Sequence, residues 1–195
     1  MRGNRIWLRA VVLAGASLAL LTGTAVAATT HHAKKAPAKP KPVPVLVQLQ
    51  KVKTALAKYE SVDVAKADGY VMTGPCEMTP TSAGASWWAG AMGVHFVNNA
   101  LTRQRPNPLK PAVLVYLPTA AGGFQLVAAE YFQADADQNV ATDTDRPTLF
   151  GRAFDGPMLG HAPGMPIHYD LHVWLWKHNP SGTFAPYNPA ASCTP

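Results

Sequence analysis

The residues of this chain that are best suited to chemistry lie in one stretch near its end, where polar and apolar side chains alternate. The apolar set comprises Ile167, Tyr169, Leu171, Val173 and Leu175. The polar set comprises His168, Asp170, His172, Trp174, Trp176 and His178. Alternation with a period of two among aromatic and branched residues predicts a β-strand. Because the polar set holds three of the seven histidines, a metal ion or a polar ligand is its natural partner.

Two other polar residues interrupt apolar runs that are typical of strands. His95 interrupts the run over 92–97, and Glu130 interrupts the run over 126–132. A carboxylate is costly to bury unless it is paired or bound to a cation. Imidazole suits divalent metals such as Zn, Cu and Fe. We therefore predict a divalent-metal site formed by His95, Glu130, His168 and His172.

The spacing within the last strand limits how its histidines can share one ion. A strand rises about 3.3 Å per residue, which separates the backbones of His168 and His172 by roughly 13 Å. Both rings reach one metal only if they lean inward or if the strand bulges at 169–170. Asp170 lies only about 7 Å from either histidine along the strand. It is therefore predicted to be an alternative ligand or a residue that orients one imidazole.

Each candidate residue also has a simpler interpretation. His95 alone fits a hydrogen-bonded core histidine, and the two tryptophans of the last strand fit ordinary packing. Glu130 fits an ion pair with an arginine, the candidates being Arg103, Arg105 and Arg152. The alternative function is accordingly a non-catalytic cell-envelope or small-ligand-binding protein whose His/Trp face lines a pocket or belongs to the core. The sequence contains no H-E-x-x-H, nucleophile-elbow or phosphate-loop motif, so no catalytic residue is assigned and enzymatic activity stays open.

Helices are predicted ahead of these strands. Apolar residues spaced by three or four predict an amphipathic helix over 45–59. A second, short helix is predicted over 64–67, capped by Ser61 or Asp63 and ended by Gly69.

The rest of the chain is predicted to be strands and loops. The expected strands cover 92–97, 112–117 and 124–132, in addition to the alternating stretch. Acidic residues over 133–148 and Gly/Pro-rich residues over 151–166 predict loops. Strands joined without helices between them favour antiparallel pairing. We expect an α+β fold with an N-terminal helix or helix pair packed on a mainly antiparallel β-sheet, and with curling into a small barrel as the further option.

The N-terminal region is predicted to direct export of the chain and then to be cleaved off. Three arginines precede an apolar run over 11–21, and an A-V-A motif follows at 25–27. These are the features of a secretory signal peptide over 1–27, cleaved after Ala27, with an uncleaved membrane anchor as the alternative. Residues 28–44 are rich in Lys and Pro and predict an extended spacer. A single domain is expected over 45–195, in a secreted, periplasmic or cell-envelope location.

The charge of the chain is unevenly distributed. The formal net charge is +6, but from Gly69 onward six Lys and Arg face eight Asp and Glu. This balance argues against a nucleic-acid-binding surface on the folded part. The basic spacer is a candidate contact for an anionic cell envelope, and no stable membrane span is expected after cleavage.

The two cysteines, Cys76 and Cys193, predict a disulfide. Export places both where disulfides persist, and their spacing does not match a C-x-x-C redox or metal motif. Because the closed loop is long, the bond is expected to stabilise the fold by at most about 4–5 kcal/mol.

Several motifs taken together resemble a group of exported bacterial proteins with no established activity. They are MGVHFV at 92–97, TLFG at 148–151, HYDLHVWLWKHNP at 168–180 and the second Asn-Pro pair at 188–189. The likeness runs from about Lys66 to Cys193. It implies export and a single small domain, and it assigns no functional residues.

Overall fold

The computed structural model describes residues 43–79 and 89–195. The predicted signal peptide and nearly all of the predicted spacer lie outside the described residues. Residues 41–195 form one compact unit. In the described part of the chain, no helix is long and apolar enough to cross a membrane.

Two short helices and a 3-10 turn begin the described chain. Helix α1 spans Val45–Leu56, a 3-10 helix spans Ala57–Glu60, and helix α2 spans Val62–Ala67. The predicted periodicity of the first helix is confirmed for Leu49, Val52 and Leu56, which are buried, whereas Leu46 is 80% exposed. The α-helix ends at Leu56, three residues earlier than predicted, and continues as the 3-10 helix. Helix α2 begins two residues earlier than predicted. Ser61 occupies its N-cap position without making a capping hydrogen bond through its side chain.

Nine strands follow within the described residues. They are β1 Val71–Met72, β2 Glu77–Met78, β3 Ala91–Val97, β4 Val113–Pro118, β5 Phe124–Ala134, β6 Thr148–Leu149, β7 Arg152–Ala153, β8 Asp155–Met158 and β9 His168–Trp174. The four long strands, β3, β4, β5 and β9, cover the stretches in which the sequence predicted strands. Strands β6, β7 and β8 fall in or next to segments that were predicted to be loops.

The main sheet is antiparallel and open. Its strand order is β1-β3-β4-β5-β9-β8, with β2 also paired to β3, while β6 and β7 form a separate hairpin. The predicted antiparallel α+β arrangement is therefore confirmed, although the helical part is small. The barrel option is wrong. Closure would require the two edges of the sheet to pair, and no described pairing joins β8, which is four residues long, to β1 or β2, which are two residues each.

The two faces of the sheet have different surroundings. The helices pack on one face, where Tyr116 donates a hydrogen bond from its hydroxyl to the carbonyl of Tyr59 at 2.7 Å. The opposite face has a smaller apolar cluster that includes Val115 and Phe132. Because directly paired residues of neighbouring strands point to the same face, Glu130 of β5 and the polar residues His168, Asp170 and His172 of β9 lie on this second face.

Strand β9 is more buried and shorter than its alternation predicted. All seven of its residues are buried, so both faces are covered. It ends at Trp174, and Trp176 and His178 therefore lie beyond it. The indole of Trp174 donates to the carbonyl of Ala185, and that of Trp176 donates to Glu60 Oε1. Both tryptophans thus pack and form hydrogen bonds.

The predicted disulfide between Cys76 and Cys193 is formed, with the two Cα atoms 5.6 Å apart. It joins the residue immediately before β2 to the C-terminal segment, across 117 residues of chain. It therefore attaches the short edge strand β2 to the rest of the domain.

Candidate metal centre

Three polar side chains converge on the second face of the sheet. One potential ligand atom from each of His95, Glu130 and His172 lies within 4.8 Å of the other two, so the group could hold a metal ion. The Nε2 atom of His95 lies 3.2 Å from Glu130 Oε2, and the Nε2 atom of His172 lies 3.5 Å from the same oxygen. Both imidazoles thus direct the same ring nitrogen towards one carboxylate oxygen.

Strand register brings these residues together. Glu130 on β5 is the direct cross-strand partner of His172 on β9. On its other side Glu130 pairs with Val113 of β4, and His95 of β3 pairs with Val115, two residues further along β4. The three ligand candidates therefore come from three strands of one antiparallel sheet, namely β3, β5 and β9. Glu130 and His172 are buried, and the side chain of His95 is 12% exposed.

Two residues at the centre of this group contribute buried atoms without hydrogen-bond partners among the described residues. Within the described residues, Glu130 Oε2 and both ring nitrogens of His172 are buried and unpartnered. The short approaches to Glu130 Oε2 are therefore close contacts of charged or polar atoms without hydrogen-bond geometry. Leaving such atoms unsatisfied in the interior costs free energy. A cation placed between them would satisfy His172 Nε2 and Glu130 Oε2 together.

A carboxylate lies near the outward nitrogen of each histidine. Glu77 Oε1 is 3.6 Å from His95 Nδ1, and Asp170 Oδ1 is 3.8 Å from His172 Nδ1. In metal sites, the ligating histidine commonly donates its other N–H to a carboxylate, which fixes the tautomer and raises ligand basicity. Both carboxylates lie beside the ring nitrogen that faces away from Glu130, but at these distances neither accepts a hydrogen bond from it, and His172 Nδ1 and Asp170 Oδ1 have no hydrogen-bond partner among the described residues.

The structure separates His168 from the other predicted ligands. His168 pairs with Ala134, four residues along β9 from His172, and the ladder between β5 and β9 has no bulge there. Its Nδ1 lies 3.0 Å from the carbonyl oxygen of Pro166, and its ring stacks on Phe132. Asp170 lies beside His172 and outside the three-residue group. The closest group thus contains three of the four predicted ligands.

Electrostatic coupling sets the charges of the group. Burial raises the pKa of Glu130, but the neighbouring His172 and His95 outweigh it and lower that pKa to about 2. Burial lowers the pKa of His95, but Glu130 and Glu77 outweigh it and raise the pKa above its usual value. Burial lowers the pKa of His172. The anionic form of Glu130 and the neutral form of His172 are therefore favoured. His95 favours its protonated form, so a metal that binds its Nε2 would displace that proton.

A wide cleft of about 780 Å³ lies beside the group. His95 and Glu130 line it, whereas His172 does not. The loop after β3 contributes Arg103, and the Gly/Pro-rich loop before β9 contributes His161. Neither Trp174 nor Trp176 lines this cleft. The cleft beside the histidines is therefore different from the His/Trp pocket that the sequence predicted as an alternative.

For three residues around the site, the sequence analysis did not predict a place at the site. Glu77 belongs to a two-residue strand, which is too short for any periodicity to be recognised. Asp155 pairs with Asp170 from β8, inside a segment that was predicted to be a loop. Arg103 was considered only as an ion-pair partner of Glu130, and the described ion pairs of Glu130 are with histidines instead.

No family model, curated protein or solved structure matches this chain. The functional argument therefore depends on the geometry and chemistry of the site itself.

Proposed function

We propose that this chain is an exported domain that binds one divalent transition-metal ion through His95, Glu130 and His172. The observation that carries the proposal is the convergence of three ligand atoms within 4.8 Å, of which those of Glu130 and His172 are buried without hydrogen-bond partners. Two imidazoles and one carboxylate favour Zn, Fe or Cu over Mg and Ca, which prefer oxygen ligands. Export is supported by the disulfide, because such bonds persist in oxidising compartments.

The ligand number also indicates what such a site does. Structural zinc sites are closed by four protein ligands, whereas sites with three protein ligands keep a position for water or another small ligand. Here that position would face the cleft, because His95 and Glu130 line it. A bound metal of this kind activates water as a nucleophile or polarises a ligand oxygen. The arrangement is thus compatible with catalysis as well as with simple metal binding.

Titration of the metal-free protein with Zn²⁺ tests the proposal. We expect binding of about one ion per chain in the wild type. We expect a loss of affinity of about 100-fold or more in each of His95→Gln, Glu130→Gln and His172→Gln, since each removes a ligand. His178→Gln is the matched control, because His178 is exposed and outside the group.

Melting of every variant without metal separates lost binding from lost folding. A glutamine variant that melts cooperatively and still binds Zn²⁺ as tightly as the wild type would contradict the proposed site.

A second candidate function is the binding of a small organic ligand without a metal. The observation that favours it is the size of the cleft, which falls within the usual range of small-molecule sites. Its distinguishing result is a ligand that shifts the melting temperature equally with and without chelator.

A further inference from the structure

The open side of the three-residue group faces the cleft. His95 and Glu130 line the cleft, while His172 is fully buried. A metal held by these three side chains would therefore offer its remaining coordination position to molecules that enter from the cleft. Whatever binds there meets the metal and the cleft wall at the same time.

One wall of the cleft carries a cation on a hydrogen-bonded turn. Asn98 holds this turn, since its side-chain amide donates to the carbonyl of Asp68 and its Oδ1 accepts from the backbone N–H of Ala100. The turn continues with hydrogen bonds from the backbone N–H groups of Leu101 and Thr102 to the carbonyl of Asn98. Arg103 follows directly and lines the cleft.

The guanidinium of Arg103 has no ion-pair partner within residues 43–79 and 89–195. The two carboxylates that line the same cleft, Glu77 and Glu130, each contact a histidine instead. An unpaired guanidinium on a cleft wall is well suited to a carboxylate or phosphate, which it binds through two parallel hydrogen bonds.

The charge balance of the loaded site also favours an anion. A divalent ion coordinated by one carboxylate and two neutral imidazoles keeps a net positive charge. Arg103 adds a second positive centre on the same cleft and Glu77 adds one further carboxylate, so the lining keeps a net positive charge when the metal is bound. The rest of the lining includes apolar side chains, among them Phe132, Met165 and Pro166, which can contact the organic part of a ligand.

We propose that the cleft binds a small organic anion whose carboxylate or phosphate group ligates the metal and accepts hydrogen bonds from Arg103. This proposal rests on the proposed function, because the metal supplies one of its two anchoring points. The volume of about 780 Å³ suits a metabolite-sized molecule.

Cobalt-substituted protein provides the test, because the visible absorption of bound Co²⁺ changes when an anion enters its coordination shell. Acetate and inorganic phosphate are the probes, titrated separately at constant ionic strength so that the two anion classes are distinguished. The variants are Arg103→Ala and Arg105→Ala. Arg105 is the matched control, because it is exposed like Arg103 and lies two residues away but does not line the cleft.

At least one probe is expected to change the wild-type spectrum with saturation. Its dissociation constant should rise about 10-fold or more in Arg103→Ala, the effect of losing a charge-assisted contact, and change less than about 2-fold in Arg105→Ala. Affinity for Co²⁺ itself should be the same in all three proteins.

Two contrary results have different meanings. If Co²⁺ binds normally but neither anion changes the spectrum, or if both arginine variants bind the anion equally, the anion proposal is overturned and the metal site stands. If Co²⁺ does not bind to the wild type, both proposals are overturned.

Discussion

A single buried carboxylate oxygen organises the site at the scale of residues. Glu130 Oε2 is approached by the Nε2 atoms of two histidines and has no hydrogen-bond partner in the part of the chain that the structure describes. Without a metal, the anionic form of Glu130 depends on the neighbouring imidazoles for stabilisation. With a metal, the same three atoms would become ligands. The free energy of metal binding would then offset the cost of burying these polar groups.

Asp170 has a different role, because burial and nearby charges disfavour its ionised form. Burial, then the charges of Glu130 and Asp155, raise its pKa well above its usual value. A carboxyl group with a raised pKa holds its proton more tightly in the folded state than in the unfolded state. Its contribution to stability is therefore full below about pH 3.8 and is lost as the pH rises through the folded pKa.

Replacing Asp170 by Asn should separate stability from metal binding. Asp170→Asn removes the disfavoured charge, so the metal-free protein should be more stable than the wild type at pH 7, by about 1 kcal/mol or more, and similar to it at pH 3. Zn²⁺ affinity should fall about 10- to 100-fold, because the carboxylate beside His172 Nδ1 is lost. Urea unfolding at both pH values and Zn²⁺ titration measure the two effects.

The exposed Asp63 provides the control for this substitution. Asp63→Asn should change both quantities little, because its carboxylate is 88% exposed and far from any ligand candidate in sequence. Lower stability of Asp170→Asn at pH 7 would mean that the ionised carboxylate is needed for the fold, which contradicts this account.

At the scale of elements, strand β3 depends on a glycine two residues before His95. Gly93 has a φ of +115°, and a Cβ there would lie 2.7 Å from Val115 Cγ1 and 2.8 Å from the carbonyl oxygen of Tyr116. Both contacts are with β4, so any side chain at this position pushes β3 away from its neighbour. Close strand approach therefore requires glycine here.

Substitution of Gly93 by Ala should destabilise the fold by about 3 kcal/mol or more, because it combines backbone strain with a clash against β4. The matched control is Gly122→Ala. Gly122 also has a positive φ, +81°, but has open space around it, so only about 1 kcal/mol is expected from strain. Urea unfolding compares the two, and equal losses would show that the approach of β3 to β4 is not limiting.

The sequence predicts the long strands well because each carries its own local pattern. Alternation in β9 and polar interruptions in the apolar runs of β3 and β5 selected His95, Glu130 and His172, but they selected His168 equally, which lies outside the group. The register between strands is not encoded locally. Only the pairing of β5 with β9 shows that His172 lies opposite Glu130 and that His168 lies opposite Ala134.

The sequence also could not predict how the sheet ends. Closure of a barrel depends on whether the edge strands can pair, and these edges are two to four residues long, too short for periodicity to reveal them. Glu77 was missed for the same reason. Its contact with His95 depends on the attachment of β2 to β3.

At the scale of the whole molecule, the disulfide connects the C-terminal segment to the site. Cys76 immediately precedes Glu77, whose carboxylate lies 3.6 Å from His95 Nδ1. The bond therefore stabilises the domain and also holds one of the carboxylates that flank the histidines. Such a bond persists in an oxidising compartment.

Removal of the disulfide should affect both stability and metal binding. The Cys76→Ala, Cys193→Ala double variant should lose up to about 4–5 kcal/mol of unfolding free energy. It should also bind Zn²⁺ more weakly, because β2 is no longer attached. Glu77→Gln keeps the disulfide and should reproduce only the loss of affinity. Unchanged Zn²⁺ affinity in a folded double variant would contradict the link between the disulfide and the site.

The central claim is that this chain holds a divalent transition metal, and elemental analysis of the protein purified without a His tag tests it most directly. The account predicts about one equivalent of Zn, Cu or Fe per chain in the wild type, and loss of that metal in His172→Gln. Metal added after chelation should raise the melting temperature of the wild type. No stoichiometric metal, together with no thermal shift on adding Zn, Cu or Fe, would contradict the account.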